Sequence, residues 1–365
     1  MTTTAFPPIA QGLEPVVSAE QKREQKTTAS KETEDRLAAV VREGLGAFPK
    51  KLPPWLFYDR DGSRLFNEIT ERPEYYLTRT ERGIFSKHAL SMIEHAADGG
   101  RLRITELGAG SAEKTRLLLK AAVARQGIII YEPIDLSGSA LDQAKRGIEC
   151  EIPEVTVRPK VMDYLQENRR TPNRQLHLVG TRDEHEGLEF EYLHAGERRL
   201  VLYIGSSIGN FEPHQARQIL NRVRAGLSKG DVLLLGVDLV KDRSLLLAAY
   251  DDFAGVTADF NLNMLVRLNR ELGAEFPLDS FQHRATWNEE ESRIEMHLES
   301  RVAQKVRIAA LEMEVSFTQG ETIHTECSYK YVPGQAEAML RNAGFAETES
   351  WTDERGWFNV CMARV

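Results

Sequence analysis

The sequence predicts an α/β protein built on a mainly parallel sheet, with a second, smaller α+β subdomain. Three observations carry this expectation. First, between residues 101 and 240 β-branched or leucine-rich runs alternate with helical segments: "RLRITELG", "GIIIYEPIDLS", "EVTVRPKVMDY", "RLVLYIGSSIGNF" and "DVLLLGVDL", with helical stretches after the first, second and fourth. Such alternation is the signature of parallel strands joined by crossover helices. Second, glycines and acidic residues gather at the carboxyl ends of these runs, where ligands bind on open parallel sheets. Third, after about residue 243 a helical stretch gives way to alternating runs, "ESRIEMHLESRVAQKVRI", "LEMEVSF" and "TIHTECSYKY", then a helix "PGQAEAMLRNAG" and a closing strand "WFNVCMARV". Two pieces of this last region are expected to join the central sheet as antiparallel edge strands.

The elements divide the 365 residues as follows. Residues 1–32 are polar, rich in Thr, Lys and Glu and without sustained periodicity, which predicts a flexible lead-in. Residues 33–100 read as a helical cap. Its first helix carries Leu37, Val40, Val41 and Leu45 on one face and is expected to stop at Pro53 and Pro54; aromatic and charged segments with helical character then flank Pro73. Residues 101–240 are the sheet domain, interrupted at 165–198 by a charge-dense excursion, simplest as a β-hairpin. Residues 241–365 supply the substrate-binding subdomain and the closing strands.

A hydrophobic fraction of 41% with 28% charged residues is that of a soluble globular chain. The net charge of −8 and the lack of a basic run argue against a nucleic-acid partner. No stretch reaches the roughly 18 apolar residues of a membrane span, and no apolar leader precedes the first helix, so neither membrane nor secretion is expected. Three cysteines at no metal spacing point to a reducing, cytoplasmic compartment. The nine histidines show no metal-ligand spacing either, so a protein-bound metal is not expected. Without a heptad seam, a monomer is the simplest state.

The motif at the end of the first strand, Glu106-Leu107-Gly108-Ala109-Gly110-Ser111, places backbone N–H groups where a ligand can approach closely. A dinucleotide fingerprint requires a third glycine where this chain has Glu113. Asp135 ends the second strand, where an acid accepts from ribose hydroxyls. Asp163 ends the third, in reach of an adenine amine, with Tyr164 to pack on the ring. Glycines, acid, acid is the pattern of a Rossmann-like methyltransferase sheet holding S-adenosylmethionine; ordinary turns are the alternative. In "YIGSSIGNF", Gly205 and Gly209 allow close approach and Asn210 offers donor and acceptor to an amino acid's carboxylate, or caps a plain turn. Tyr58, Tyr75, Tyr76 and Tyr250 suit a site where a nitrogen becomes cationic, or are half-buried core. Glu326 and Ser328 share one side of a strand and suit the two nitrogens of an imidazole, with an exposed polar face as the alternative.

The chain resembles the histidine-specific Nα-methyltransferases of ergothioneine biosynthesis, a family that also holds fungal enzymes methylating prenylated tryptophan. The resemblance runs from about residue 34 to 365 and rests on "LPPWLFYD", "RPEYYLTRTE", "ELGAGSAEKTR", "GSSIGNF", "LLLGVDLVKD", "AAYDDFAGVTADFN", "RIEMHLESR" and "TECSYKY". It implies a Rossmann-like class I methyltransferase fold, S-adenosylmethionine as methyl donor without a metal, and L-histidine trimethylated to hercynine; another amino acid, such as a tryptophan derivative, is the alternative substrate. It implies further that Gly108, Lys114, Asp135, Asp163 and Tyr164 hold the donor. Tyr75, Asn210 and Tyr250, with Gly205, would hold the amino and carboxylate groups, with Tyr58 beside the reacting nitrogen. Glu326 and Ser328 match the imidazole grip and Met296 a position lining the side-chain pocket. Keeping both Glu326 and Ser328 favours histidine over an indole, which lacks a second ring partner.

Overall fold

The computed structural model describes residues 35–164 and 187–365. The expected lead-in and most of the 165–198 excursion, including any hairpin there, lie outside the described residues.

Helix α1 (35–46) buries Leu37, Val41 and Leu45, with Val40 half-buried. It stops well before the prolines at 53 and 54. The chain doubles back there: a Cβ on Gly44 would lie 2.0 Å from the Lys51 carbonyl oxygen. Strand β1 (Lys50–Lys51) follows, then a 3₁₀ turn (Pro54–Phe57), α2 (Arg60–Thr70) and α3 (Tyr76–Ala97). Asp59 caps α2, its carboxylate accepting from the Gly62 amide at 2.7 Å.

The central sheet begins with β2 (Arg101–Leu107), α4 (Thr115–Gln126), β3 (Ile129–Asp135), α5 (Gly138–Glu151) and the short β4 (Val155–Val157) and β5 (Lys160–Val161). Then come β6 (Glu197–Tyr203), α6 (Pro213–Ala225) and β7 (Val232–Asp238). Pairing is parallel from β4 through β3, β2 and β6 to β7.

The second unit follows as α7 (Arg243–Ala248), α8 (Val256–Leu272), β8 (Phe281–Asn288), β9 (Arg293–Ser300), β10 (Gln304–Ile308), β11 (Met313–Phe317) and β12 (Thr322–Tyr329). The helical stretch expected here is two helices, broken by a left-handed Gly255 (φ 77°) that starts α8. Strand β8 was not anticipated in the sequence; its side chains are half-buried in succession and show no clean alternation. Strands β1, β12, β9 and β8 form one sheet in that order, and β10 and β11 a separate hairpin.

Helix α9 (Gln335–Asn342) leads to β13 (Glu347–Thr352) and β14 (Phe358–Arg364). Both return to the central sheet and are antiparallel, but only β13 is at the edge. Strand β14 inserts between β7 and β13. Its side chains are buried on both faces, as an interior position demands.

Three apolar clusters organise the described residues. One face of the central sheet packs on α3, α4 and α5. The other packs on α6 and α9 and takes in Cys327, Tyr329 and Tyr331. The third joins α1, α2, α7, α8 and the second sheet, and it includes Tyr75, Tyr76 and Leu77 at the start of α3. Helix α3 therefore bridges the two units, its first turn in one core and Ile84 and Phe85 in the other.

Asp59 fastens the cap to the second unit. Its carboxylate also accepts from Asn263 at 2.9 Å and Arg270 at 2.7 Å, both on α8. Burial alone would raise its pKa, but the bonds from Gly62, Arg270 and Asn263 outweigh burial and hold it below the ordinary value. A carboxylate with a depressed pKa stabilises the fold above its unfolded pKa and loses that contribution as pH falls. Asp59→Ala is expected to cost about 1–2 kcal/mol at pH 7, with a smaller difference from wild type at pH 3.5, both read by thermal unfolding.

Candidate functional site

Two turns at the carboxyl ends of β2 and β6 form the floor. In the first, Gly108 (φ 68°) and Gly110 (φ 52°) adopt left-handed backbone, and Ala112 (φ 52°) does so without being glycine. In the second, Gly205 (φ 78°) is followed by Ser206 (φ 59°). For a residue with a Cβ this conformation costs about 1 kcal/mol, and such strain gathers where backbone geometry serves a site.

One residue that the sequence reading did not single out ties both turns together. Glu81, fully buried on α3, accepts from the Gly205 amide at 2.9 Å and pairs with Lys114, which follows the first turn. A Cβ on Gly205 would meet Lys114 Nζ at 2.9 Å, and one on Gly236 would meet Glu81 Oε1 at 2.2 Å, so small residues are required around this pair. Glu81 lies within "RPEYYLTRTE"; nothing in helical periodicity marks it.

The acids of the nucleoside side differ in what they do. Glu106 is buried, accepts from Thr115 at 2.8–2.9 Å and from the Tyr131 hydroxyl, and burial pushes its pKa up to about 7. It anchors the turn to α4 and faces inward. Asp135 accepts from the Gly110 amide at 3.0 Å and from the Ser137 amide at 2.8 Å, bracing the first turn from β3. Tyr164 closes over the same turn, 3.3 Å from where a Gly108 Cβ would be. Asp163 is ion-paired at 2.5 Å with Arg36 of α1, whose guanidinium lies over the Trp55 ring.

Strand β12 provides the opposite wall. Its pairing with β9 slips by one residue: His324 faces His297, whereas Glu326 faces Met296, leaving Thr325 as the extra residue of a β-bulge. Thr325 is held there by bonds to Asn261 Oδ1 at 2.9 Å and the Met296 carbonyl at 3.0 Å. The bulge separates His324 from Glu326, which simple alternation would put on one face. Glu326 is thereby turned inward beside Met296, 9% and 2% exposed. Cys327 points the other way, into the cluster beneath the central sheet.

The turn after β6 packs directly on this strand: a Cβ on Gly209 would lie 2.9 Å from the Tyr329 carbonyl oxygen, and the Asn210 carbonyl accepts from Cys327 Sγ at 3.5 Å. Tyr75 and Tyr250 meet edge to face at 6.3 Å. The Tyr250 hydroxyl and Ser328 Oγ are 2.7 Å apart. Tyr58, 36% exposed, packs on Phe66 and Phe260. Its pKa is raised by burial and then by Glu326, Tyr75, Asp135 and Tyr164, groups drawn from both walls. Tyr58 thus sits between the nucleoside turns and the β12 wall, as a neutral phenol.

A second group that sequence reasoning missed lies under this wall. Lys330 Nζ bonds Ser328 Oγ at 2.9 Å and Tyr250 Oη at 2.8 Å and pairs with Asp238 at 2.9 Å, both charged side chains being fully buried. Asp238 also accepts from Tyr76 Oη at 2.7 Å and from Lys241 at 2.5 Å. Burial, partly offset by Asp238, takes Lys241 down to about 8. The signal in sequence was slight: a lysine two residues after Ser328, directly past the end of β12.

Among the described residues none donates a hydrogen bond to the Glu326 carboxylate. Burial raises its pKa to about 7, and Lys330's charge opposes the rise. A carboxyl whose folded pKa exceeds its unfolded value destabilises the fold once ionised, so this group removes stability as pH climbs from about 4.5 to about 7. Glu326→Gln is expected to raise the thermal stability of the ligand-free protein at pH 8 and to leave it nearly unchanged at pH 4.5; equal shifts at both pH values would contradict this electrostatic account.

The profile of a family described as "Histidine-specific methyltransferase, SAM-dependent" matches residues 37–365. The chain is 43% identical over 329 residues to a histidine N-alpha-methyltransferase of Mycolicibacterium smegmatis, spanning 90% of this chain and 95% of that protein. It is 40% identical to the histidine N-alpha-methyltransferase of Mycobacterium tuberculosis, over 88% of this chain and 93% of the relative. Ergothioneine biosynthesis protein 1 of Neurospora crassa is 29% identical over 87% of this chain, which matches 34% of that longer protein. The chain belongs to the family of histidine-specific, S-adenosylmethionine-dependent methyltransferases.

Proposed function

We propose that the protein transfers methyl groups from S-adenosylmethionine to the α-amino nitrogen of L-histidine, three in succession, giving hercynine as the first step of ergothioneine biosynthesis. The observation that carries the substrate is the inward-facing Glu326 beside Ser328 on a bulged strand, a buried acceptor and a hydroxyl on one wall. An imidazole carrying one N–H satisfies both. An indole has only its N–H and would leave the hydroxyl without a ring partner, which costs free energy in a buried site.

The donor-side residues fit a nucleoside with a sulfonium tail. Gly108 and Gly110 leave room for close approach, Asp135 and Asp163 offer carboxylates at the ends of β3 and β5, and Tyr164 supplies a ring face. S-adenosylmethionine supplies an electrophilic methyl on sulfur. This chain's task is alignment and exclusion of water.

Tyr75, Asn210 and Tyr250 are assigned to the amino and carboxylate groups, Gly205 to the close approach of the second turn, and Met296 to the apolar wall of the imidazole pocket. Lys114 is assigned to the donor side through its pairing with Glu81 and its contact with Gly205. Only a neutral amine attacks, so the substrate's ammonium must first lose a proton. Tyr58 is a phenol at neutral pH and therefore relays or accepts a hydrogen bond; it is not a phenolate base. Its ring, with those of Tyr75 and Phe66, offers an aromatic face to the forming ammonium, an attraction of about 0.5–2 kcal/mol that needs no N–H and tolerates added methyl groups.

The compartment proposed is the cytoplasm, supported by three unpaired cysteines. No helix among the described residues is long and apolar enough to cross a membrane.

Mass spectrometry of a reaction containing the protein, S-adenosylmethionine and an equimolar mixture of the twenty amino acids tests the reading directly. Histidine alone is expected to gain three methyl groups; unmodified histidine beside another methylated amino acid would overturn the substrate. Glu326→Ala is expected to raise the KM for histidine at least tenfold with the S-adenosylmethionine Kd within twofold of wild type. Tyr58→Phe is expected to change the ratio of mono-, di- and trimethylated products more than donor affinity, and unchanged ratios would count against its place beside the nitrogen.

A further inference from the structure

We propose that Lys330 is a positioning residue that makes the Ser328–Tyr250 hydroxyl pair a donor of one hydrogen, so that this end of the pocket selects a ring atom bearing a lone pair. The inference rests on the histidine reading of the site and deepens it.

The hydrogen count carries the argument. An ammonium has three N–H donors. Those of Lys330 have three acceptors in reach, Asp238 Oδ2 at 2.9 Å, Tyr250 Oη at 2.8 Å and Ser328 Oγ at 2.9 Å. Each hydroxyl oxygen is thus already an acceptor. The two hydroxyls carry two hydrogens, and their 2.7 Å contact uses one. One hydrogen and one of the four lone pairs remain; when Tyr250 donates to Ser328 both serine lone pairs are taken, so the serine hydrogen points into the pocket and the spare lone pair is the tyrosine's, free for the substrate's amino group. Glu326, on the same strand face and without a donor among the described residues, offers the complementary acceptor. Together they fit a neutral imidazole with one N–H turned to Glu326 and one bare nitrogen turned to the hydroxyl pair. Were Lys330 absent, lone pairs on both oxygens would be released, and the pair would accept as readily as it donates.

The same cation is the charge that offsets burial at Glu326. The other titratable groups facing Glu326 are Tyr58 and Tyr75 from the cap, Tyr250 after α7, and Cys327 on its own strand. All four are neutral acids whose ionisation Glu326 discourages, so among the described residues Lys330 is the cation that this carboxyl feels. Histidine binding through a carboxylate rises as pH passes the Glu326 pKa; removing Lys330 moves that midpoint upward.

Lys330→Met removes charge and donors with little change in volume, and Asp238 keeps Lys241 and Tyr76 as partners. Lys330→Gln, neutral but still a donor, serves as a second variant. Wild type and variants are compared by steady-state kinetics and by titration calorimetry with L-histidine and with S-adenosylmethionine from pH 6 to 9. The expected result is a KM for histidine raised at least tenfold in the Met variant, donor Kd within twofold, and a midpoint of histidine affinity shifted up by at least one pH unit. Histidine's own titration is common to all the proteins. Gln is expected to recover part of the KM and none of the midpoint shift. Folded variants with wild-type KM and midpoint would overturn the inference alone, and failure of both variants to fold would assign Lys330 a purely structural part. A wild-type protein that binds no histidine would refute the functional reading, and the inference with it.

Discussion

The contact between Lys330 and Asp238 joins the two halves of the molecule at the point where the site is made. Asp238 is the last residue of β7 in the parallel sheet, and Lys330 directly follows β12 of the second sheet. Next to the ion pair, the Tyr331 amide donates to the Asp238 carbonyl at 2.9 Å and the Val240 amide to the Tyr331 carbonyl at 2.9 Å, extending β12 along the end of β7. A buried ion pair is not in itself a strong stabiliser, because desolvation offsets much of the attraction. Its value is directional: charge and backbone together set where Glu326 and Ser328 stand relative to the turns that end β2 and β6.

Those turns are held in a similar way. Glu81 bonds the Gly205 backbone and Lys114 at once, so α3 fixes the spacing between the first and second turns. The bulge at Thr325 does the corresponding work on the other wall. Each device is a buried polar group with satisfied partners that restricts one alternative arrangement, at an expense in local strain at Ala112 and Ser206. The resulting electrostatics suit the chemistry. A carboxyl with a pKa near 7 changes charge over the range in which an imidazole also titrates, while Tyr58 stays neutral between the walls.

Much of the fold was legible because it rests on periodicity. Parallel strands read as apolar runs, and the glycine turns read as breaks after them. The departures have local causes. The first helix ends at residue 46, three residues ahead of Pro49, and Gly44 lets the chain fold back on Lys51, an approach that apolar periodicity does not announce. Strand β8 lacks alternation because both its faces are half-covered. Strand β14 is interior because it slots beside β7, and apolar pattern cannot tell an edge strand covered by a helix from an inner one. Candidate residues on turns, such as Gly108, Gly205 and Asn210, were legible as polar or glycine-rich sequence next to a strand end. Glu81, Asp238 and Lys330 were not, because a charged residue carries no label in the sequence for the distant partner that neutralises it.

By itself the sequence determined the alternation of strands and helices, the glycines where left-handed backbone is needed, and the order of residue types that marks the family. These are properties of neighbours along the chain, governed by backbone sterics and the period of burial. Which way Glu326 faces was decided only in three dimensions. Strict alternation places His324, Glu326 and Ser328 on one side, and a one-residue bulge, held by Thr325 bonding Asn261 and the Met296 carbonyl, sends His324 outward and Glu326 in. The hydrogen bonds that hold it come from residues 29 and 64 positions away, and no local pattern encodes them.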